Sequence, residues 1–376
     1  MTTSTKKTAL QIVHGYNEPF LSLTALYSRA LREAGWRVIT VYLCGNSDDR
    51  ITTLSNADHV IYLEASTHQL RGLKLSLARK IRQIIREQHV SLIIGQRYKP
   101  LYLALLASLF TALPVLGVGH AFGVLNATMR QWFLRRFAQR LTLAGVSQAV
   151  TTDMQQHASM LRCVCLHNAI DTGTLEVRLL ARRAARQQLG LDDNDFVFAN
   201  VGRLHADKDQ GTLIRAFSRI AADFPAAKLL LIGQGKCEQA YRQQIVALKL
   251  ENRILLTGPV PNAATLFPAF DVYASSSARE PFGIVLAEAM LAKLPVISTD
   301  CGGAPEVLGA QAHYFHQGDD QALAAHMRSY LQTPPSERQH NGELLYQRLN
   351  EQFSFPAFSR RLLALVATII TPERTC

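Results

Sequence analysis

No stretch of the 376 residues approaches the roughly 18 uninterrupted apolar positions of a membrane-spanning helix. The opening Met-Thr-Thr-Ser-Thr-Lys-Lys runs into a short apolar segment with the pattern of a first strand, not of a signal peptide, so a cytoplasmic protein is expected. Paired cysteines are missing as well. Cys44, Cys163, Cys165, Cys237, Cys301 and Cys376 form neither a CxxC pair nor a Cys/His metal spacing, which implies reduced thiols and argues against a structural zinc site. Internal repeats, low-complexity tracts, a GxGxxG loop and any nucleic-acid-binding motif are also lacking, so neither dinucleotide nor nucleic-acid binding is expected. Acidic residues are scarce in one half only. Residues 1–170 hold 19 Lys and Arg against 8 Asp and Glu, whereas residues 171–376 hold 21 of each, so the whole net charge of +11 lies in the first half. Such asymmetry implies that this half meets something anionic.

What is present is an ordinary globular composition, 48% hydrophobic and 18% charged, in a chain longer than one hydrophobic core usually supports. Short β-branched runs at 8–14 and 37–43 flank a helical segment near 20–34, which reads as a βαβ unit. Further strands are expected at 58–63, 90–95, 114–119 and 141–146, with helical stretches between most of them. The rhythm restarts at 196–201, 228–232, 253–257, 271–274 and 295–299. The expected class is α/β, with two Rossmann-like domains whose parallel sheets face each other across a cleft that holds a small-molecule site. The domains are set at 1–170 and 171–352, with 353–376 a C-terminal helix packing back on the body. Residues 171–195, with Arg178, Arg182, Arg183 and Arg186, read as a linker and turn; Asp193-Asn194-Asp195 imitates a metal-binding DxD triplet, but its position marks turn chemistry.

The chemistry concentrates in residues 275–306. Glu280 stands just ahead of a helix whose start is marked by Pro281 and Gly283, Glu288 lies inside that helix, and Gly302-Gly303 turns the chain after the next strand. Unpaired amides at a helix start attract phosphate. A carboxylate there is ordinarily a dipole stabiliser, so Glu280 has either that role or a ligand of its own. Arg203 and Lys208 follow a strand end and suit a diphosphate, and Gly233-Gln234-Gly235 lets backbone approach a ligand. In the first half, His120 directly follows a strand, Gly15 follows the first strand, and Arg97 and Lys99 follow another, as grips for an anionic acceptor or as surface charges. Two basic amphipathic segments stand out. Residues 70–89 read as a core-facing helix with a solvated basic side, whereas Arg130, Trp132, Phe133, Arg135 and Arg136 fit an anionic membrane interface and a core-packed helix equally.

Together these motifs resemble the retaining glycosyltransferases of family 4, with the two-domain GT-B fold. The resemblance is carried by Asn200-Val-Gly-Arg203 with Lys208, Leu231-Ile-Gly-Gln-Gly235, Thr257-Gly-Pro-Val260, Glu280-Pro-Phe-Gly-Ile-Val-Leu-Ala-Glu288 and Pro295-Val-Ile-Ser-Thr-Asp-Cys-Gly-Gly303-Ala-Pro-Glu306, in family order and spacing. Asn168-Ala-Ile-Asp171 is similar to the family's Asn-Gly-Ile-Asp, with Ala169 in place of Gly, and the loop after strand one lacks the family's Gly-Gly pair. The resemblance implies that Arg203 and Lys208 bind a donor diphosphate, Glu288 the ribose hydroxyls and backbone near Val260 the base. It gives Glu280 and the amides of Phe282, Gly283, Ile284 and Val285 the transferred sugar and phosphate, with Gly15 on the donor and His120 contributing catalytically from the opposite domain. Neither metal nor cofactor is implied; the UDP-sugar is a substrate. The lipopolysaccharide core enzymes of the family fit the charge asymmetry, which implies a phosphorylated glycolipid acceptor held by the first domain at the inner membrane. The other readings are transfer from a GDP- or ADP-sugar to a lipid-linked or soluble acceptor, and a non-catalytic, membrane-associated sugar-binding protein.

Overall fold

The computed structural model describes residues 6–371. The chain divides into two compact units, one built from residues up to Ala169 together with the chain from Phe355 on, the other from Ile170–Ser354. The first unit is a seven-stranded parallel sheet of β1 (Thr8–Val13), β2 (Arg37–Tyr42), β3 (His59–Tyr62), β4 (Val90–Gln96), β5 (Val115–Gly119), β6 (Leu141–Gly145) and β7 (Arg162–Cys165), in the order β3-β2-β1-β4-β5-β6-β7. The second is a six-stranded parallel sheet of β8 (Phe196–Val201), β9 (Ala227–Ile232), β10 (Ile254–Gly258), β11 (Val272–Ser275), β12 (Val296–Thr299) and β13 (His313–Phe315), in the order β10-β9-β8-β11-β12-β13. Eleven of these strands fall at the positions read from the sequence; β7 and β13 do not appear in that reading.

Helices cover both faces of a parallel sheet, so its inner strands are apolar along their whole length instead of alternating. Every residue of β1 is buried, Gln11 included. The helix Leu75–Glu87 shows the complementary pattern: Leu77, Ala78, Ile81, Ile84 and Ile85 make one buried stripe, and the arginines and lysine lie off it. This is the core-facing arrangement. Arg82 leaves the solvated side to donate to the carbonyls of Leu106 and Ala107, capping the helix Tyr98–Ala107.

The helix Phe355–Ile370 belongs to the first unit, where it lies along the helix Phe20–Glu33. Tyr27 meets Phe358 edge to face at 4.9 Å, and the guanidinium of Arg29 stacks 4.0 Å above the Phe355 ring. Among the described residues no helix is long and apolar enough to cross a membrane.

The segment read as a linker is an integral part of the second unit. Its helix Arg182–Gln188 carries Arg186, only 2% exposed, whose guanidinium donates to the carbonyls of Ala269, Asp192 and Asp195 and lies 3.6 Å from Asp271. A buried cation persists only when its N–H groups are filled, and here they knit the segment to the chain before β11. Asp195 is a turn residue, as the sequence suggests: it accepts from the Asp192 amide at 2.7 Å and pairs with Lys228. Arg186→Met, which keeps the stem and removes the donors, is expected to destabilise the second unit by about 3 kcal/mol. Urea unfolding checks this, and a loss below about 1 kcal/mol contradicts it.

Candidate functional site

In each sheet the strand order reverses at the first strand: β1 lies between β2 and β4, and β8 between β9 and β11. Crossovers leave such a point in opposite directions, so the loops beyond the strand ends part and open a crevice. The candidate residues gather at these two places.

In the second unit the loop after β8 is clasped to the loop after β11. Asn200, buried at the end of β8, donates to the Ala274 carbonyl at 2.7 Å, while Gln210 donates to the Arg203 carbonyl at 3.0 Å. Ser276 Oγ bonds to the carbonyls of Lys208 and Asp209, and the Ala278 amide donates to the Asp207 carbonyl. These bonds bring Lys208 Nζ within 2.6 Å of Glu280 Oε2, an ion pair 23% and 13% exposed. Ser277 Oγ donates to the same oxygen at 3.3 Å. Arg203 stands at the mouth, 73% exposed, beside Asp207 at 3.4 Å.

Two glycines let the loops close. A side chain at Gly233, whose φ is 143°, would collide with the Gly202 carbonyl oxygen, and one at Gly303 would lie 2.6 Å from the Pro281 carbonyl oxygen. The Gly303 amide donates instead to the Glu280 carbonyl at 2.7 Å, which fixes the backbone carrying that carboxylate. The helix Ile284–Leu291 follows, with Gly283 in a left-handed conformation as its N-cap. Glu288 stands one turn inside it. Phe282 is buried edge-on against Phe353, while Ile284 and Val285 are half-buried at the helix start. Tyr273, on β11, donates its hydroxyl to the Val201 carbonyl at 3.3 Å; burial pushes its phenol up, the bond to Val201 pushes it down, and the charges of Glu280 and Glu288 push it up again. Val260 is half-buried two residues past β10, and the Gly258 carbonyl before it accepts from the Gly233 amide.

The first unit holds a cavity of about 330 Å³ at the ends of β1, β4 and β5, lined by His14, Arg97, Tyr98, Lys99, Pro100, the run His120–Val124 and Arg130. His120, Arg97 and Lys99 are therefore brought together. Burial, and then the charge of Arg97, push the His120 imidazole down to about 3, so it is neutral. Arg97 has a φ of 75°, a conformation that costs a non-glycine residue roughly 1–3 kcal/mol and that clusters at functional sites. Its guanidinium stacks 4.8 Å above Phe20, whose ring in turn meets His120 edge-on. Gly15 adjoins the cavity residue His14 but is not among the lining residues, and a side chain there would make only ordinary contact with Cys44 at 3.8 Å.

The basic aromatic segment divides. Arg130 is half-buried, lines the cavity, stacks on Tyr98 at 4.4 Å and donates to the Val124 carbonyl. Phe133 packs toward the core against Tyr102 and Phe137. Trp132 (57% exposed), Arg135 and Arg136 remain outward, with Arg136 stacked on the indole at 4.5 Å and Met129 exposed beside them.

Sequence reasoning missed His14, Tyr98 and Arg130 as cavity residues. The signal for His14 is the one that selects His120, a histidine directly after a strand. Its Nδ1 is buried with no hydrogen-bond partner, and burial, Lys99 and Arg97 all push its imidazole down.

Comparison with known proteins gives a consistent picture. The family model described as Glycosyltransferase Family 4 matches residues 23–174, and that described as Glycosyl transferases group 1 matches residues 181–343. An uncharacterized glycosyltransferase of Methanocaldococcus jannaschii is 32% identical over 168 residues, covering 44% of this chain and 40% of that protein. The chain spans less than half the length of the curated relatives it matches. A glycosyltransferase from Rickettsia africae superposes with a TM-score of 0.85 at 18% identity, covering 98% of this chain and all of that one. HepE of Anabaena, solved with UDP and glucose, does so at 0.78 and 22%, covering 96% of this chain and 99% of that one. At these identities the structures show a shared fold, the GT-B arrangement of two Rossmann-like domains. The two halves of the chain thus carry a Glycosyltransferase Family 4 domain followed by a Glycosyl transferases group 1 domain.

Proposed function

We propose that the protein is a retaining, metal-independent hexosyltransferase that moves a hexose from a UDP-sugar to the lipopolysaccharide core oligosaccharide, or a related envelope glycan, at the inner face of the membrane. One observation carries the reading: the reversal of strand order in the second unit gathers Arg203, Lys208, Glu280 and the start of the helix Ile284–Leu291 in one place. The likeness to a protein solved with UDP and glucose supports the donor. The cationic lining of the first unit's cavity, Arg97 and Lys99 joined by Arg130, supports an acceptor with an anionic group.

In this reading Lys208 keeps one N–H on Glu280 and turns others to the diphosphate, because an ammonium has three donors. Arg203 swings from Asp207 to the same diphosphate, and the amides of Phe282 to Val285 complete the counter-charge that a divalent ion would otherwise supply. The remaining oxygen of Glu280 takes a sugar hydroxyl, Glu288 the ribose and backbone near Val260 the base. As the bond from the anomeric carbon to the diphosphate breaks, the acceptor oxygen bonds to the same face and its proton passes to the departing diphosphate. Configuration is retained with no protein nucleophile.

UDP at a hundred times its Kd is expected to stabilise the protein by about 2.7 kcal/mol, read as a raised Tm, with GDP and ADP doing much less. A larger shift with GDP or ADP moves the donor to that nucleotide. Loss of the charge-assisted bond in Glu280→Gln is expected to lower transfer to core acceptors roughly 10- to 100-fold while UDP binding holds, and EDTA to leave wild-type turnover unchanged. Turnover undiminished in Glu280→Gln, or absent from the wild type with every UDP-sugar tried, overturns the reading. At the membrane, replacing Arg135 and Arg136 by Ala is expected to weaken binding to phosphatidylserine vesicles about 30-fold, at about 1 kcal/mol per arginine, and added salt to weaken the wild type similarly. Vesicle sedimentation indifferent to both leaves this surface structural.

A further inference from the structure

Within the apolar run of β1, Gln11 is 0% exposed. Burying an amide costs roughly 1–3 kcal/mol unless its polar atoms are partnered, so its partners show what holds it there. Its Nε2 lies 3.2 Å from the Thr24 carbonyl oxygen and 3.1 Å from Ser28 Oγ, both on the helix Phe20–Glu33. A carbonyl oxygen only accepts, so the nitrogen must face it and the amide has one orientation. Gln11 Oε1 therefore accepts from Gln96 Nε2, at 3.0 Å. Gln96, 2% exposed at the end of β4, is oriented in turn and directs its Oε1 to His120 Nε2, 2.7 Å away. An amide oxygen also only accepts, so the hydrogen of His120 is on Nε2.

We infer that Gln11 and Gln96 are positioning residues that lock His120 in its Nε2–H tautomer, leaving Nδ1 as a permanent acceptor for a sugar hydroxyl and not for a phosphate or carboxylate oxygen. The inference rests on the reading of this cavity as a site for a sugar-containing substrate. Geometry sets the tautomer, and the burial that keeps the ring neutral removes the doubly protonated form. The cavity thus sorts two chemistries: Arg97, Lys99 and Arg130 suit anionic oxygens, whereas His120 has no hydrogen to offer them. The effect originates at the Thr24 carbonyl, three hydrogen bonds from the imidazole.

The test uses the full chain labelled with 15N-histidine, the His120 signals being assigned by their loss in His120→Asn. Long-range 1H–15N correlation of the wild type is expected to show His120 with its proton on Nε2 at all pH values between about 5 and 8. A proton on Nδ1 overturns the inference with no variant needed. In Gln11→Leu, which touches neither His120 nor the cavity lining, Gln96 is free to turn over, and exchange of the Nε2 proton with water is expected to quicken at least tenfold. Unchanged exchange in a folded Gln11→Leu overturns the relay. A quickened exchange with a several-fold lower kcat and an unchanged KM for UDP-sugar supports both the relay and the sugar contact. If exchange quickens and kcat does not move, the relay stands and the sugar-binding reading of His120 falls.

Discussion

The structure depends on one constraint of parallel sheets: consecutive strands need crossovers, crossovers of a single hand pack on one face, and covering both faces requires the order to reverse once. Each unit places that reversal at its first strand, and the polar residues follow from it. Loops after adjacent strands part there, so side chains distant in sequence meet without crossing the core. Lys208 and Glu280, 72 residues apart, meet because β8 and β11 are neighbours. His14, Arg97 and His120 share a cavity because β1, β4 and β5 are neighbours.

How much of this was legible in the sequence follows the same physics. Inner strands are apolar on both faces and read easily, and so do the residues directly after them, which is why His120, Arg203 and Lys208 could be picked out. β7 and β13 are short edge strands, but so is β3, which its Val60-Ile61 pair reveals; Arg162–Cys165 holds one β-branched residue and His313–Phe315 none, so neither carries that signal. Pairing was the other hidden layer. Nothing local tells that Glu280 is held by Lys208 and Ser277, or that Gln11 in an apolar run answers to the Thr24 carbonyl.

Arginine was hardest to read because one side chain serves several ends. Arg186 is a buried brace for a segment that composition marks as a linker, Arg82 and Arg140 close the carbonyls of a helix end and a loop, and Arg130 turns from a surface stripe into the cavity. The planar, five-donor guanidinium suits all these tasks, and only its neighbours decide among them. The positive excess of the first half is therefore smaller, as a surface property, than the count of charges implies.

The return of the helix Phe355–Ile370 to the first unit has a consequence for the order in which the chain becomes native. The second unit is continuous in sequence, so all its strands are in hand once Ser354 has been made. The first unit is begun earlier but completed later, since Tyr27 and Arg29 receive Phe358 and Phe355 only after the whole second unit has been made. Domains usually mature from the N-terminus onward. Here the unit whose strands are made before those of the other is the one that must wait, with an apolar strip on the helix Phe20–Glu33 in need of shelter until Phe355 and Phe358 follow.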